Sequence, residues 1–234
     1  MGKAVRRKKK IAAFDIDGTI FRSSLLLELI EELIQEGVFP AQTRKAYERE
    51  LLRWLDRKGD YEAYILKVVS VFARGLKGIR FSVGEKAAKR AISEKENRVY
   101  RYTRDLVQTL KKRGYFLVAI SHSPKFIAGP FGKKLGFDKV YASIYAVDAS
   151  GKFTGKIEYE DMIFDKAAVL VHAMRKFGTK HAGSIAVGDT ESDIPMLSLV
   201  EKPIVFNPNK KLYRYAKKKG WKVVVERKDV FYEL

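Results

Sequence analysis

Apolar positions along this chain fall into short unbroken runs in some places and into helical spacing in others, and the two patterns alternate. Runs at residues 11–16, 115–121, 184–187, 203–206 and 222–225 have the length of buried parallel strands and are too short for helices. Amphipathic stretches between and after them predict helices over 99–113, 125–135, 165–177, 193–200 and 210–219. Strands alternating with helices in this way indicate an α/β fold with a parallel sheet. The segment 148–156, DASGKFTGK, places Gly151 and Gly155 around Phe153 and predicts a hairpin or turn beside that sheet.

The first crossover is too long for a single helix. Residues 23–103 carry helical periodicity through SSLLLELIEELIQEG, where Ser23 or Ser24 can cap and Gly37 can stop the helix. Further helices are expected over 45–55, 61–72 and 85–91. An insertion at this point sits over the carboxyl edge of the sheet, where open α/β folds place their ligands, and so reads as a lid.

Candidate chemistry gathers at the strand ends. In IAAFDIDGTIF, residues 11–21, Asp15 and Asp17 stand two apart and can both project from the end of the first strand. Two anions held this close repel unless a cation or a proton relieves them. Gly18 permits a sharp turn, and Thr19 adds a hydroxyl donor. A second pair lies in AVGDTESDIPML, where Asp189 follows an apolar strand and Asp193 opens the next helix. The plainer reading of Asp193 is an N-cap, shared with Ser192 and followed by Pro195. Oxygen donors without histidine or cysteine suit Mg²⁺. Ser121, at the end of the strand in VAISHSP, can donate to a phosphate oxygen, and Lys166 in FDKAAVL can bring an ammonium into the same crevice. Taken singly, Ser121 reads more simply as a cap and Lys166 as a surface charge. His172 and His181 have no convergent partners.

Charge adds a second theme. The formal net charge is +19, and the excess sits mainly in residues 1–10, with six bases and no acid, and 209–222, with seven and none. Such runs can attract polyanions, and Tyr213, Tyr215 and Trp221 interleave with the second as nucleic-acid stacking surfaces do. The simpler account is a solvated tail and a solvated helix face. The chain has no cysteine, which excludes disulfides and thiolate metal sites. No apolar run approaches the roughly 20 residues of a membrane span, and the basic start lacks an h-region, so the expected location is cytoplasmic, with no membrane partner.

The ordered set DIDGT, strand-end Ser121, Lys166 and GDTESD resembles the haloacid dehalogenase (HAD) superfamily of aspartate-nucleophile phosphohydrolases. The helical insertion after the first motif resembles the C1 cap of its phosphoserine-phosphatase-like branch, and NPNKKL, residues 207–212, is similar to the segment after the last catalytic motif there. The resemblance implies a Rossmann-like parallel-sheet core of residues 1–22 and 104–234, with an inserted helical cap of 23–103. It implies Asp15 as the nucleophile that forms an aspartyl-phosphate and Asp17 as the acid and base. Mg²⁺ would be held by Asp15, the backbone carbonyl of Asp17, Asp189 and Asp193, and phosphate by Thr19, Ser121 and Lys166. The expected function is a Mg²⁺-dependent phosphatase acting on a small phosphorylated metabolite. Ser24 stands where phosphoserine phosphatases carry a glutamate for the substrate ammonium, which points away from phosphoserine. Arg22, Ser24 and His122 are the candidate specificity residues at the cleft. A phosphotransferase of the same chemistry, or a nucleic-acid-binding protein that uses the fold with its basic segments, are the alternatives.

Overall fold

Residues of β1, Lys10–Asp15, alternate between two cores, as a strand covered on both faces requires. Ala12 and Phe14 point into one apolar cluster and Ile11 and Ala13 into another. A computed structural model describes residues 9–234 of the chain. The expected basic segment 1–10 therefore lies almost wholly outside the described residues.

After β1 come four helices, α1 (Leu25–Gln35), α2 (Lys45–Leu55), α3 (Tyr61–Leu76) and α4 (Phe81–Lys95). Then follow α5 (Arg101–Lys112), β2 (Phe116–Pro124), α6 (Lys125–Leu135), β3 (Lys139–Val147) and β4 (Phe153–Glu158). The chain continues through α7 (Glu160–Phe164), α8 (Lys166–Lys176), β5 (Lys180–Gly188), α9 (Ile194–Ser198) and β6 (Lys202–Phe206). It ends with α10 (Lys210–Lys219), β7 (Lys222–Arg227) and β8 (Val230–Glu233). The strands form one eight-stranded sheet in the order β4-β3-β2-β1-β5-β6-β7-β8, parallel except for the antiparallel edge strands β4 and β8. The α/β expectation holds. Strands β3 and β8 are additions to it, and the expected hairpin is the β3–β4 turn, where Asp148 Oδ1 accepts the Ser150 and Lys152 N–H groups at 2.8 and 3.1 Å.

Register decides which residues meet at the carboxyl edge. Asp15 pairs with Ile120 of β2, and Phe14 with Val187 of β5, so Ser121 and Asp189 flank the end of β1. Helix α1 begins after Ser24 as anticipated, and Gly37, at φ 70°, follows its end. Ser24 caps by position only: the Leu25 and Leu26 N–H groups are taken instead by Asp17 Oδ1 and Ser123 Oγ, at 2.6 and 3.1 Å. The insertion is therefore anchored to the strand ends at its first turn. Further out, Phe72 of α3 packs edge-on against Tyr145 of β3, with centroids 5.2 Å apart, and against Phe39.

Helix α10 buries Leu212 and Ala216 against the sheet and turns its lysines to solvent. Of the nearby aromatics, Tyr215 packs on Trp221, with centroids 5.2 Å apart, and Trp221 lies against the second core, while Tyr213 is exposed. Among the described residues, no helix is long and apolar enough to cross a membrane.

Phe72 is fully buried where the helical layer meets the sheet, so Phe72→Ala should destabilise the protein by about 3–5 kcal/mol. Urea denaturation followed by circular dichroism measures this, and a loss below about 1 kcal/mol would mean that the two layers do not share a core.

Candidate active site

Three carboxylates converge at the sheet edge. Asp15, Asp189 and Asp193 each offer an oxygen within 4.8 Å of the others. Lys166, the first residue of α8, reaches between them: its Nζ donates to Asp15 Oδ1 and to Asp193 Oδ1, both at 2.6 Å. The Asp165 carboxylate accepts the Ala168 N–H at 2.9 Å and so starts the helix that carries the lysine. Asp193 is fully buried and does more than cap: its Oδ2 accepts the Asp189 and Thr190 N–H groups at 3.0 and 3.1 Å, shaping the loop after β5.

Glycine is required at two points of this cradle. A Cβ on Gly18 would lie 2.3 Å from Asp189 Oδ2, and its φ of +84° already disfavours any other residue. A Cβ on Gly188 would lie 2.5 Å from the Asp193 side chain.

Electrostatics follow from the crowding. Burial pushes the Asp15 carboxyl up to about 7; Lys166 opposes this, and the charges of Asp193 and Asp17 add to it. Burial, then the charges of Asp15 and Asp193, raise Asp189 well above the ordinary carboxylate range. For Lys166, burial pulls downward, but the two aspartates outweigh it and hold the ammonium above its usual value. Three carboxylates against one ammonium leave two negative charges uncompensated when all are ionised. A divalent cation would neutralise both, and an all-oxygen donor set fits a hard ion. The residues present therefore fit a divalent metal held by Asp15, Asp189 and Asp193.

The remaining expected residues separate into two groups. Asp17 lines the cavity above the cluster, with its carboxylate directed to Ser121 Oγ (2.6 Å), Ser123 Oγ (3.0 Å) and the start of α1. Its side chain stands apart from the three-carboxylate cluster. Ser121 is fully buried and occupied by Asp17, and Thr19, also fully buried, donates to Asp189 Oδ1 at 3.0 Å. Both support the carboxylates in this arrangement. Ser24 and His122 line the cavity. Arg22 does not: it pairs with Glu226 of β7 at 3.1 Å and lies over the Tyr100 ring.

Sequence reasoning passed over Ser123, Tyr61 and Phe164, which line the same cavity. Ser123 carried a signal, since it lies two residues beyond Ser121 in the same strand and shares its face. Tyr61 carried none: it opens α3, far from every motif in sequence. Burial and the charges of Asp17 and Asp189 raise its hydroxyl well above the ordinary phenol value, so it remains a proton donor near the carboxylates.

The family model for haloacid dehalogenase-like hydrolases matches residues 12–198. The chain belongs to this family, and within it to the phosphoserine-phosphatase-like branch, as a hydrolase of the phosphatase class. It is 28% identical over 203 residues to a phosphoserine phosphatase of Methanocaldococcus jannaschii, covering 86% of this chain and 87% of that one. It is 25% identical over 224 residues to a histidinol-phosphatase of Neisseria meningitidis serogroup C, covering 92% and 98%. Among solved structures, a phospho-aspartyl intermediate analogue of a phosphoserine phosphatase superposes with a TM-score of 0.64 at 25% identity, covering 95% of this chain and 96% of that one.

The raised carboxyls predict a pH dependence. The unfolded Asp15 titrates near 3.8 and the folded one near 7, so across that window the folded state holds more protons. Metal-free protein should therefore lose stability as pH rises from about 4 to 7, and added Mg²⁺ should oppose the loss. Thermal melts with and without chelator measure both effects, and metal-free stability that rises over this window would contradict the cluster's electrostatics.

Proposed function

We propose that the protein is a Mg²⁺-dependent phosphatase that hydrolyses a small phosphomonoester through an aspartyl-phosphate on Asp15. The observation that carries this reading is the buried Lys166 contact to Asp15 beside two further carboxylates. Phosphoryl transfer needs an oriented nucleophile and neutralised phosphoryl oxygens, and this site offers both.

In this account Lys166 orients the Asp15 carboxylate through Oδ1, and the carboxylate attacks phosphorus as the alcohol leaves. Asp17, fixed by Ser121 and Ser123, gives a proton to the departing oxygen and then takes one from the water that hydrolyses the acyl phosphate. Bound between Asp15, Asp189 and Asp193, the metal would supply charge neutralisation for the phosphoryl oxygens. Tyr61, Ile65, Leu66 and Val69 of α3 keep bulk water from the reacting atoms. In this reading residues 23–103 serve as the cap over the core, and Ser24, lacking a charge, favours an alcohol other than serine. Location in the cytoplasm and a phosphorylated metabolite as partner accompany the reading.

Asp15→Asn should lower kcat on p-nitrophenyl phosphate by at least about 10⁴-fold without loss of fold. Acid-quenched wild-type enzyme should carry phosphate on Asp15, identified by peptide mass spectrometry. Turnover that persists in Asp15→Asn, in protein freed of contaminating phosphatase, would remove the nucleophile assignment.

A further inference from the structure

The walls of the catalytic cavity carry more information than its floor. The space measures about 100 Å³, so the alcohol it receives is compact. Helix α3 supplies Tyr61, Ile65, Leu66 and Val69 to the wall, and Leu26 and Phe164 add to it. Among the described lining residues, Lys166 is the one lysine or arginine, and it is engaged by Asp15 and Asp193. The other charged side chains in the lining are acids, including Glu62 and Glu191. Glu191 is itself held by the Asn209 amide and by Lys211, the latter at 2.8 Å.

Besides the hydroxyls of Ser24, Tyr61, Thr190 and Ser192, none of which carries charge, His122 is the group that could receive an anion. Its ring packs on Phe164, with centroids 4.6 Å apart, and its Nε2 is buried without a partner. Burial, aided by the Lys166 charge, brings its pKa down to about 3, so the imidazole is neutral at physiological pH. It offers a hydrogen bond and no charge.

A carboxylate on the alcohol would lose hydration against apolar walls, meet no cation and face acidic neighbours. Resting on the phosphatase reading above, we propose that this cavity selects compact phosphomonoesters whose alcohol is mainly apolar and bears no anionic group. The phosphate is the single anion the site accommodates, and the unpartnered His122 nitrogen accommodates one neutral polar group on the alcohol.

The test compares primary alkyl phosphates with similar leaving groups: butyl phosphate, glycerol 3-phosphate, phosphoserine and 3-phosphoglycerate. For the Mg²⁺-loaded enzyme, kcat/KM should be highest for butyl phosphate, with phosphoserine and 3-phosphoglycerate lower by about 100-fold or more. Leu66 is half exposed, so Leu66→Arg keeps the fold and should narrow that gap by giving the carboxylate a partner. Equal or faster turnover of the carboxylate esters, or a gap unchanged in Leu66→Arg, would overturn the proposal. If no ester is hydrolysed, the phosphatase reading fails by itself, and calorimetry still decides the cavity's preference. Butylphosphonate should bind more tightly than 3-phosphonopropionate in the presence of Mg²⁺, and the reverse order would overturn the inference.

Discussion

Lys166 carries one positive charge into a buried group of carboxylates, and the arrangement of the sheet edge depends on it. Its Nζ bridges Asp15 on β1 and Asp193 beyond β5, 2.6 Å from each. Those aspartates come from segments that only the parallel register brings together. Removing one member of a buried charge pair costs about 3–5 kcal/mol, because the other is left desolvated and unpaired. Three carboxylates remain more than one ammonium can satisfy, an imbalance that a divalent ion would relieve.

The helical insertion is tied to the same residues. Asp17 and Ser123 accept the first free N–H groups of α1, so the helix that leads into the insertion starts on the side chain proposed to move the proton. Helix α3 then returns over the cavity and supplies most of its apolar wall. In the proposed function, chemistry and selectivity are thus divided between layers: the strand ends would hold the reacting charges, and the helices would set what can stand beside them. The pair of Arg22 with Glu226, which also accepts the Arg101 and Tyr102 N–H groups, braces the junction on the far side.

Much of this was readable in the chain. Short apolar runs located β1, β2, β5, β6 and β7, and aspartates at two of their ends marked the edge that carries the site. The antiparallel edge strand β8 was not read, because its residues are all exposed and show no alternation. Strand β3 was missed for a different reason: it pairs parallel with β2 and then antiparallel with β4, and its burial follows no single period. Side-chain partners were the least legible. Nothing in sequence spacing tells that Thr19 turns to Asp189, that Arg22 turns to Glu226, or that Tyr61 comes within the field of the aspartates. Such contacts depend on how the helices dock, and local pattern does not encode docking.

The central claim is that Asp15, Asp189 and Asp193 hold one divalent ion beside a carboxylate poised to accept phosphorus. A crystal structure of the protein with Mg²⁺ and beryllium fluoride tests it most directly. The account predicts a trifluoroberyllate on an Asp15 oxygen, with Mg²⁺ bridging it to Asp189 and Lys166 still in contact with Asp15. Beryllate on another residue, or Mg²⁺ bound away from these aspartates, would contradict it.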